Sequence, residues 1–138
     1  MNKTTTEMTA ALHLAAAQGH SDFVEALLAK GAQVNACADG GIAAIHLAAE
    51  SGNARVVERL LSRGADPSAR TASGWTPLHG ACAAGHEKIV RLLLQHGADP
   101  GARDTAGSSP AHVARLLHRD PLARLVQKYA ECPLAAAV

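Results

Sequence analysis

Short apolar stripes punctuated by glycine run the length of the chain, and residues 74–100 show the pattern most completely. Gly74 marks a turn, where a positive φ is easily adopted. Thr76-Pro77 then reads as a helix start, with Thr as the N-cap and Pro at the first helical position. Leu78, Ala81 and Cys82 form a narrow apolar stripe, and Gly85 ends this predicted helix. Ile89, Val90, Leu92, Leu93 and Leu94 give a wider buried face, predicting a second helix from about Glu87 to His96. Gly97 stops it, and Asp99-Pro100 begins an extended excursion toward the next turn.

The same pattern recurs with a period of 33 residues, visible in His13, His46, His79 and His112. Gly41, Gly74 and Gly107 keep that step, as do Gly19, Gly52 and Gly85, and Gly31, Gly64 and Gly97. Leu27, Leu60, Leu93 and Val126 hold the register on apolar positions. Two short helices and a turn cannot bury their own apolar faces. Stacked on like neighbours they share one core, which predicts an all-α repeat solenoid of four units.

The stretch Gly74-Trp75-Thr76-Pro77-Leu78-His79, closed by Gly97-Ala98-Asp99, resembles an ankyrin repeat, whose period and Thr-Pro-Leu-His-x-Ala signature it shares. The resemblance covers residues 8–130 as helix-turn-helix units with turn or hairpin fingers, at about 8–37, 38–70, 71–103 and 104–130. Residues 1–7 are expected as a flexible N-terminal segment and 131–138 as a C-terminal tail. Three departures stand out. Thr9-Ala-Ala-Leu-His13 and Ile42-Ala-Ala-Ile-His46 lack the Thr-Pro start, so their helices are expected to be less well capped. The fourth unit has Arg115 where Ala49 and Cys82 stand earlier, and His118 at the helix-ending glycine position. The first and fourth units are accordingly expected to be the polar caps that a solenoid needs.

Composition narrows the chemistry. Apolar residues make up 48% of the 138, yet only Phe23, Trp75 and Tyr129 are aromatic, so Ala, Leu and Val must fill a core of closely packed helices. Thirteen Lys and Arg balance twelve Asp and Glu, which argues against a phosphate-backbone binder. Five basic residues face seven acidic ones in 1–69, and eight face five in 70–138, a gentle gradient read as ordinary solvated surface. Cys37, Cys82 and Cys132 are odd in number and unpaired in spacing, which suits a reducing compartment. The polar start from Met1 to Thr6 is not expected to be a secretory leader, and no run approaches the roughly 20 apolar residues of a membrane span. The expectation is an intracellular protein, cytoplasmic or nuclear, without membrane insertion.

Eight histidines raise the question of a metal. The four that share one repeat position should lie about 10 Å apart, the spacing of packed helices, whereas ligands to one zinc need bonds of about 2 Å. Under the ankyrin resemblance they are structural, each hydrogen-bonded near the Thr of its own motif. Cys82 sits in an apolar stripe rather than beside a base, Asp66 and Asp99 belong to the Gly-Ala-Asp turn, and no phosphate-binding or zinc-protease motif occurs. No enzyme, cofactor or metal is expected.

The resemblance implies binding of another protein, a folded domain or a peptide, on a concave face made by turn tips and first helices. Carried over position by position, that face comprises Asp39, Ile42, Glu50, Ser51, Arg70, Ser73, Trp75, Arg103, Thr105 and Ser108. Trp75 reads either as an anchor, since Trp is enriched at interface hot spots, or as packing across the stems of adjacent turns. Arg70 and Arg103 are expected to form a basic pair. Leu116-Leu117 reads as a contact point or, preferred, as buried against the C-terminal helix. Asn35 matches the position where ankyrin domains undergo asparagine β-hydroxylation. The expected role is a monomeric adaptor or scaffold. The alternatives are direct regulation of an enzyme, as by the small ankyrin inhibitors of cyclin-dependent kinases, and a structural subunit of a large assembly.

Overall fold

The computed structural model describes residues 3–131, so Cys132 and nearly all of the expected C-terminal tail lie outside the described residues. Four helix pairs follow one another: α1 (Lys3–Gln18) with α2 (Ser21–Ala29), α3 (Ala44–Ser51) with α4 (Ala54–Ser62), α5 (Pro77–Ala84) with α6 (Glu87–Gln95), and α7 (Pro110–Leu116) with α8 (Asp120–Glu131). The first helices form an inner row and the second helices an outer row, each packed on its counterparts in the adjacent pairs. One continuous core runs between the rows, from Leu12 and Val24 through Ile45, Val57, Leu78 and Ile89 to Leu122 and Val126. Residues 3–7, expected as a flexible segment, are instead the first turns of α1. No glycine interrupts the chain between Met1 and Gln18, and alanines fill the inner turns, so α1 can run on past the repeat register.

Fingers project from the inner row between pairs. The first is a hairpin, β1 (Cys37–Ala38) against β2 (Ile42–Ala43), with Cys37 opposite Ala43 and a 3₁₀ turn at Asp39–Gly41. The next two are tight turns, closed by Thr71 N–H to the Trp75 carbonyl (3.0 Å) and Asp104 N–H to the Ser108 carbonyl (3.0 Å). Ala72 N–H donates to the Gly40 carbonyl (2.7 Å) and Thr105 N–H to the Ser73 carbonyl (2.9 Å), so the tips are laced into one ribbon.

Capping follows the sequence. Thr76 Oγ1 accepts the His79 N–H (3.3 Å) with Pro77 behind it, and Ser109 Oγ accepts the His112 N–H (3.2 Å). Ala43 offers no such oxygen. The first turn of α3 therefore has no side-chain cap, although the His46 Nδ1 accepts the Ala43 N–H (3.0 Å) just as the His79 Nδ1 accepts the Thr76 N–H.

The helix-ending glycines are required twice over. Gly52 and Gly85 have φ of +82°, which L side chains rarely adopt. In addition, a side chain from the next repeat occupies the place of the missing Cβ: Asn53 over Gly19, His86 over Gly52, Arg119 over Gly85. Each of these reaches back to a carbonyl at the end of the preceding inner helix, Asn53 Nδ2 to Ala16 (3.0 Å), His86 Nε2 to Glu50 (3.2 Å) and Arg119 Nε to Ala83 (3.0 Å). By contrast, Gly31, with φ +103°, has open space around it. Gly31→Ala should therefore cost only the left-handed strain, about 1–2 kcal/mol. Gly52→Ala should cost more, and the excess should vanish in a His86→Ala background, as a double-mutant cycle of urea midpoints would show.

Candidate functional site

Burial compared across the four copies sorts the helix surfaces. A position exposed only in the last pair is covered elsewhere by the following repeat. His112, Arg115, Gln127 and Glu131 are such positions, where earlier copies bury His79, Cys82, Leu94 and Ala98. Arg115 Nη2 donates to Gln127 Oε1 (2.9 Å), so this trailing end is polar and internally satisfied. The expectation of a polar cap holds for the fourth unit. It fails for the first, whose outward side exposes Leu14 and Phe23 at 60% and 50%. The reason is that α1 and α2 keep repeat-like apolar residues on that side. Leu116 and Leu117, preferred as buried against the C-terminal helix, are 62% and 48% exposed. They occupy the inner-row position held by Glu50-Ser51 and Ala83-Ala84, which α8 does not cover.

The inner histidines position the fingers. In His46 and His79, Nδ1 accepts the N–H of residue 43 or 76, so the proton sits on Nε2. That Nε2–H donates onward, from His46 to the Ala69 carbonyl (2.8 Å) and from His79 to the Ser108 carbonyl (2.8 Å). His13 Nε2 makes the equivalent bond to Ala36 (3.0 Å). The His46 and His79 rings thus tie a helix start to the loop that follows, the structural role the resemblance implied. Burial pushes the His79 imidazole below its ordinary pKa, outweighing the opposing pull of the Ser108 carbonyl and Asp104. Burial likewise pushes the Cys82 thiol up to about 12, which makes it a core group and a poor nucleophile at neutral pH.

A groove of about 440 Å3 lies between the first two fingers and α3. Ile42, Leu47 and Trp75 supply its apolar walls, with Glu50, Thr71 and Ser73 at the rim. Trp75 makes two intramolecular contacts. Its ring stacks on His79 (centroids 5.0 Å apart, planes at 30°), and its Nε1–H donates to Glu50 Oε1 (3.1 Å). One face is thereby held while the other lines the groove. Together the two contacts hold the indole in one rotamer.

Of the ten residues carried over, Ile42, Glu50, Ser73 and Trp75 come together here. Asp39 lines a second hollow, beside His13 and Cys37. Ser51 is exposed at the end of α3, outside the groove. Arg70 and Arg103 are both exposed and lie side by side, Arg70 Nη2 donating to the Arg103 carbonyl (2.6 Å) and Arg103 Nη1 to the Gly107 carbonyl (3.5 Å). Both lie on finger stems whose backbone carbonyls are within reach of a guanidinium. Thr105 holds the finger ribbon, and Ser108 holds His79 through its carbonyl and Asp104 through its N–H (2.9 Å). That last bond, with the Ala106 N–H, keeps the Asp104 carboxyl below the usual carboxylate range. Asn35 is committed at both ends of its amide, Oδ1 accepting the Asp66 N–H (2.9 Å) and Nδ2 donating to the Gly64 carbonyl (3.1 Å).

Two contributors went unnoticed in the sequence. Leu47 is half-buried in the groove wall. Gly80 has no side chain, and a Cβ there would stand 2.6 Å from Glu50 Cγ, so this glycine lets Glu50 lie across α5 to reach the indole. Its signal was present: Gly80 stands where the other repeats have Leu14, Leu47 and Val113.

A family model described as ankyrin repeats (3 copies) matches residues 1–71 and again residues 45–135. Comparison with curated proteins yields no match. Among the described residues no helix is long and apolar enough to cross a membrane.

Because the folded state holds His79 neutral, unfolding takes up a proton as the pH drops below about 6.5, the ordinary imidazole value. Stability should be fully present above that pH and fall as the pH is lowered through the depressed native value. In urea titrations from pH 7.5 to 5, His79→Gln should flatten this dependence relative to wild type, whatever its stability at neutral pH.

Proposed function

The chain belongs to the ankyrin-repeat family, whose repeats are generally protein–protein interaction modules, and from that premise we propose that it binds a partner protein through the groove between its first two fingers. The carrying observation is the braced indole of Trp75, set against Ile42 and Leu47 in a groove of about 440 Å3. An apolar or aromatic side chain of the partner enters this groove, where burying it supplies about 1.5–3 kcal/mol. Glu50 has one carboxylate oxygen engaged by the indole. Its other oxygen favours a Lys or Arg beside the entering apolar residue. Ser73 and Thr71 offer hydroxyls at the rim, and the laced fingers keep all these groups in fixed register.

The action is recognition on a rigid surface, as an adaptor or scaffold without catalysis of its own. Regulation of a bound enzyme would follow wherever that enzyme's active face is what enters the groove. The small ankyrin inhibitors of cyclin-dependent kinases typically carry a degenerate first helix in the second repeat. Here α3 spans Ala44–Ser51 in full, so nothing at that helix favours the kinase reading.

Pull-down from the source cells with wild-type protein and a Trp75→Ala, Ile42→Ala double variant tests the reading. Partners held through the groove should be lost selectively from a variant that circular dichroism shows still folded. For one identified partner, Trp75→Ala alone should weaken binding about 30-fold, the equivalent of roughly 2 kcal/mol. Partners retained unchanged by the double variant would place binding elsewhere.

A further inference from the structure

The arginines of the second and third finger stems carry charge that the fold leaves uncompensated. Arg70 and Arg103 occupy one repeat position, where the first finger has uncharged Cys37. Each guanidinium is steadied by a backbone carbonyl, of Arg103 or of Gly107. A carbonyl takes up one donor but leaves the positive charge and the other N–H groups in place. Asp104 does not neutralise them, because its Oδ1 accepts the Ala106 and Ser108 N–H groups (both 2.9 Å). Among the described residues neither arginine forms an ion pair, whereas Arg59, Arg63 and Arg91 do. Position gives this charge a direction. Glu50 rises from α3, ahead of the second finger, and receives the Trp75 indole. Arg70 lies on the other side of that finger, between Gly74 and the third finger's stem. The surface thus runs from a carboxylate through an apolar groove to two guanidiniums on successive stems.

We infer that the partner segment is charge-polarised: beyond its apolar anchor, on the side away from Glu50, it carries two carboxylates that dock on Arg70 and Arg103. The inference rests on the reading of the groove as the anchor's site. Spacing selects a pair of carboxylates over a single phosphate. Arg70 Nη2 stands beside Gly74 and Arg103 Nη1 beside Gly107, equivalent glycines in successive repeats. The guanidiniums therefore keep the repeat spacing of about 10 Å instead of converging on one anion. An extended chain advances about 3.3 Å per residue, so acids about three residues apart match both. Each guanidinium fork then meets one carboxylate, and the steadying carbonyls lower the entropy lost in the contact. Exposed pairs of this kind fix register and partner choice more than they add affinity.

A displayed library of random dodecapeptides, selected on the immobilised full chain at low salt where exposed charge pairs are least screened, tests this. Enriched peptides should share an aromatic or aliphatic residue with a Lys or Arg on one side. On the other side they should carry two acidic residues about three positions apart. Charge reversal supplies a readout that a merely structural role would not move: Arg103→Glu should exchange the more distant acid for a Lys or Arg. For one enriched peptide, Arg70→Gln combined with Arg103→Gln should weaken binding about tenfold. Arg103→Glu alone decides the matter if that double variant does not fold. Peptides that need Trp75 yet show no acidic preference would overturn this inference and leave the groove reading standing. The same holds if the acidic preference is indifferent to Arg103→Glu. Peptides that bind Trp75→Ala unchanged would overturn the groove reading and the inference with it, as would a library yielding no chain-specific sequence.

Discussion

A neutral imidazole bridging two backbone groups is the interaction on which the arrangement rests. The inner helices α3 and α5 begin with an N–H that lacks an intrahelical acceptor, and the loop that follows each presents a carbonyl, of Ala69 or of Ser108. His46 and His79 satisfy both with one ring. Because the ring is rigid, the bridge also sets a distance, so every finger stands at a defined height above its helix. The groove is a product of that spacing. Trp75 lies on the His79 ring itself, and the finger that carries Thr71 and Ser73 is anchored by His46 through Ala69. The structural roles and the proposed binding role therefore fall on the same side chains.

Legibility of the fold followed from redundancy. Histidine, glycine and leucine positions repeat with one period, and each type has its own physical reason to recur, so the helix pairs and their glycine stops could be read directly. Thr76-Pro77 announced its cap in the same way. The site was less legible because its key contacts cross between repeats. Glu50 meets Trp75 over 25 residues of sequence, and only the absence of a Cβ at Gly80 allows it. Arg70 and Arg103 could be read as surface charge, but nothing local showed that backbone carbonyls of the finger stems would come within reach of them.

The two ends of the array show why a repeat's identity and its environment have to be read separately. At the trailing end the sequence itself changes, with Arg115 and Gln127 replacing small or apolar residues. At the leading end it does not: Phe23 and Leu14 are ordinary interior choices, left exposed because nothing among the described residues packs over them. A motif scan registers the first kind of boundary and passes over the second. The early start of α1 at Lys3 belongs to the same end, where an alanine-rich run carries the helix past the register of its neighbours.

The neighbour-only contacts also make the molecule anisotropic under load. Each repeat is joined to the next by a helix–helix seam and one staple over a glycine, and no strand or disulfide among the described residues spans more than one seam. Tension applied along the stack therefore reaches the seams in series rather than in parallel. Parting one seam would release a repeat of 33 residues, roughly 110 Å of extended chain, while the remaining pairs keep their core. In a force–extension trace this would appear as a ladder of similar steps, the behaviour of an extensible link rather than a brittle one.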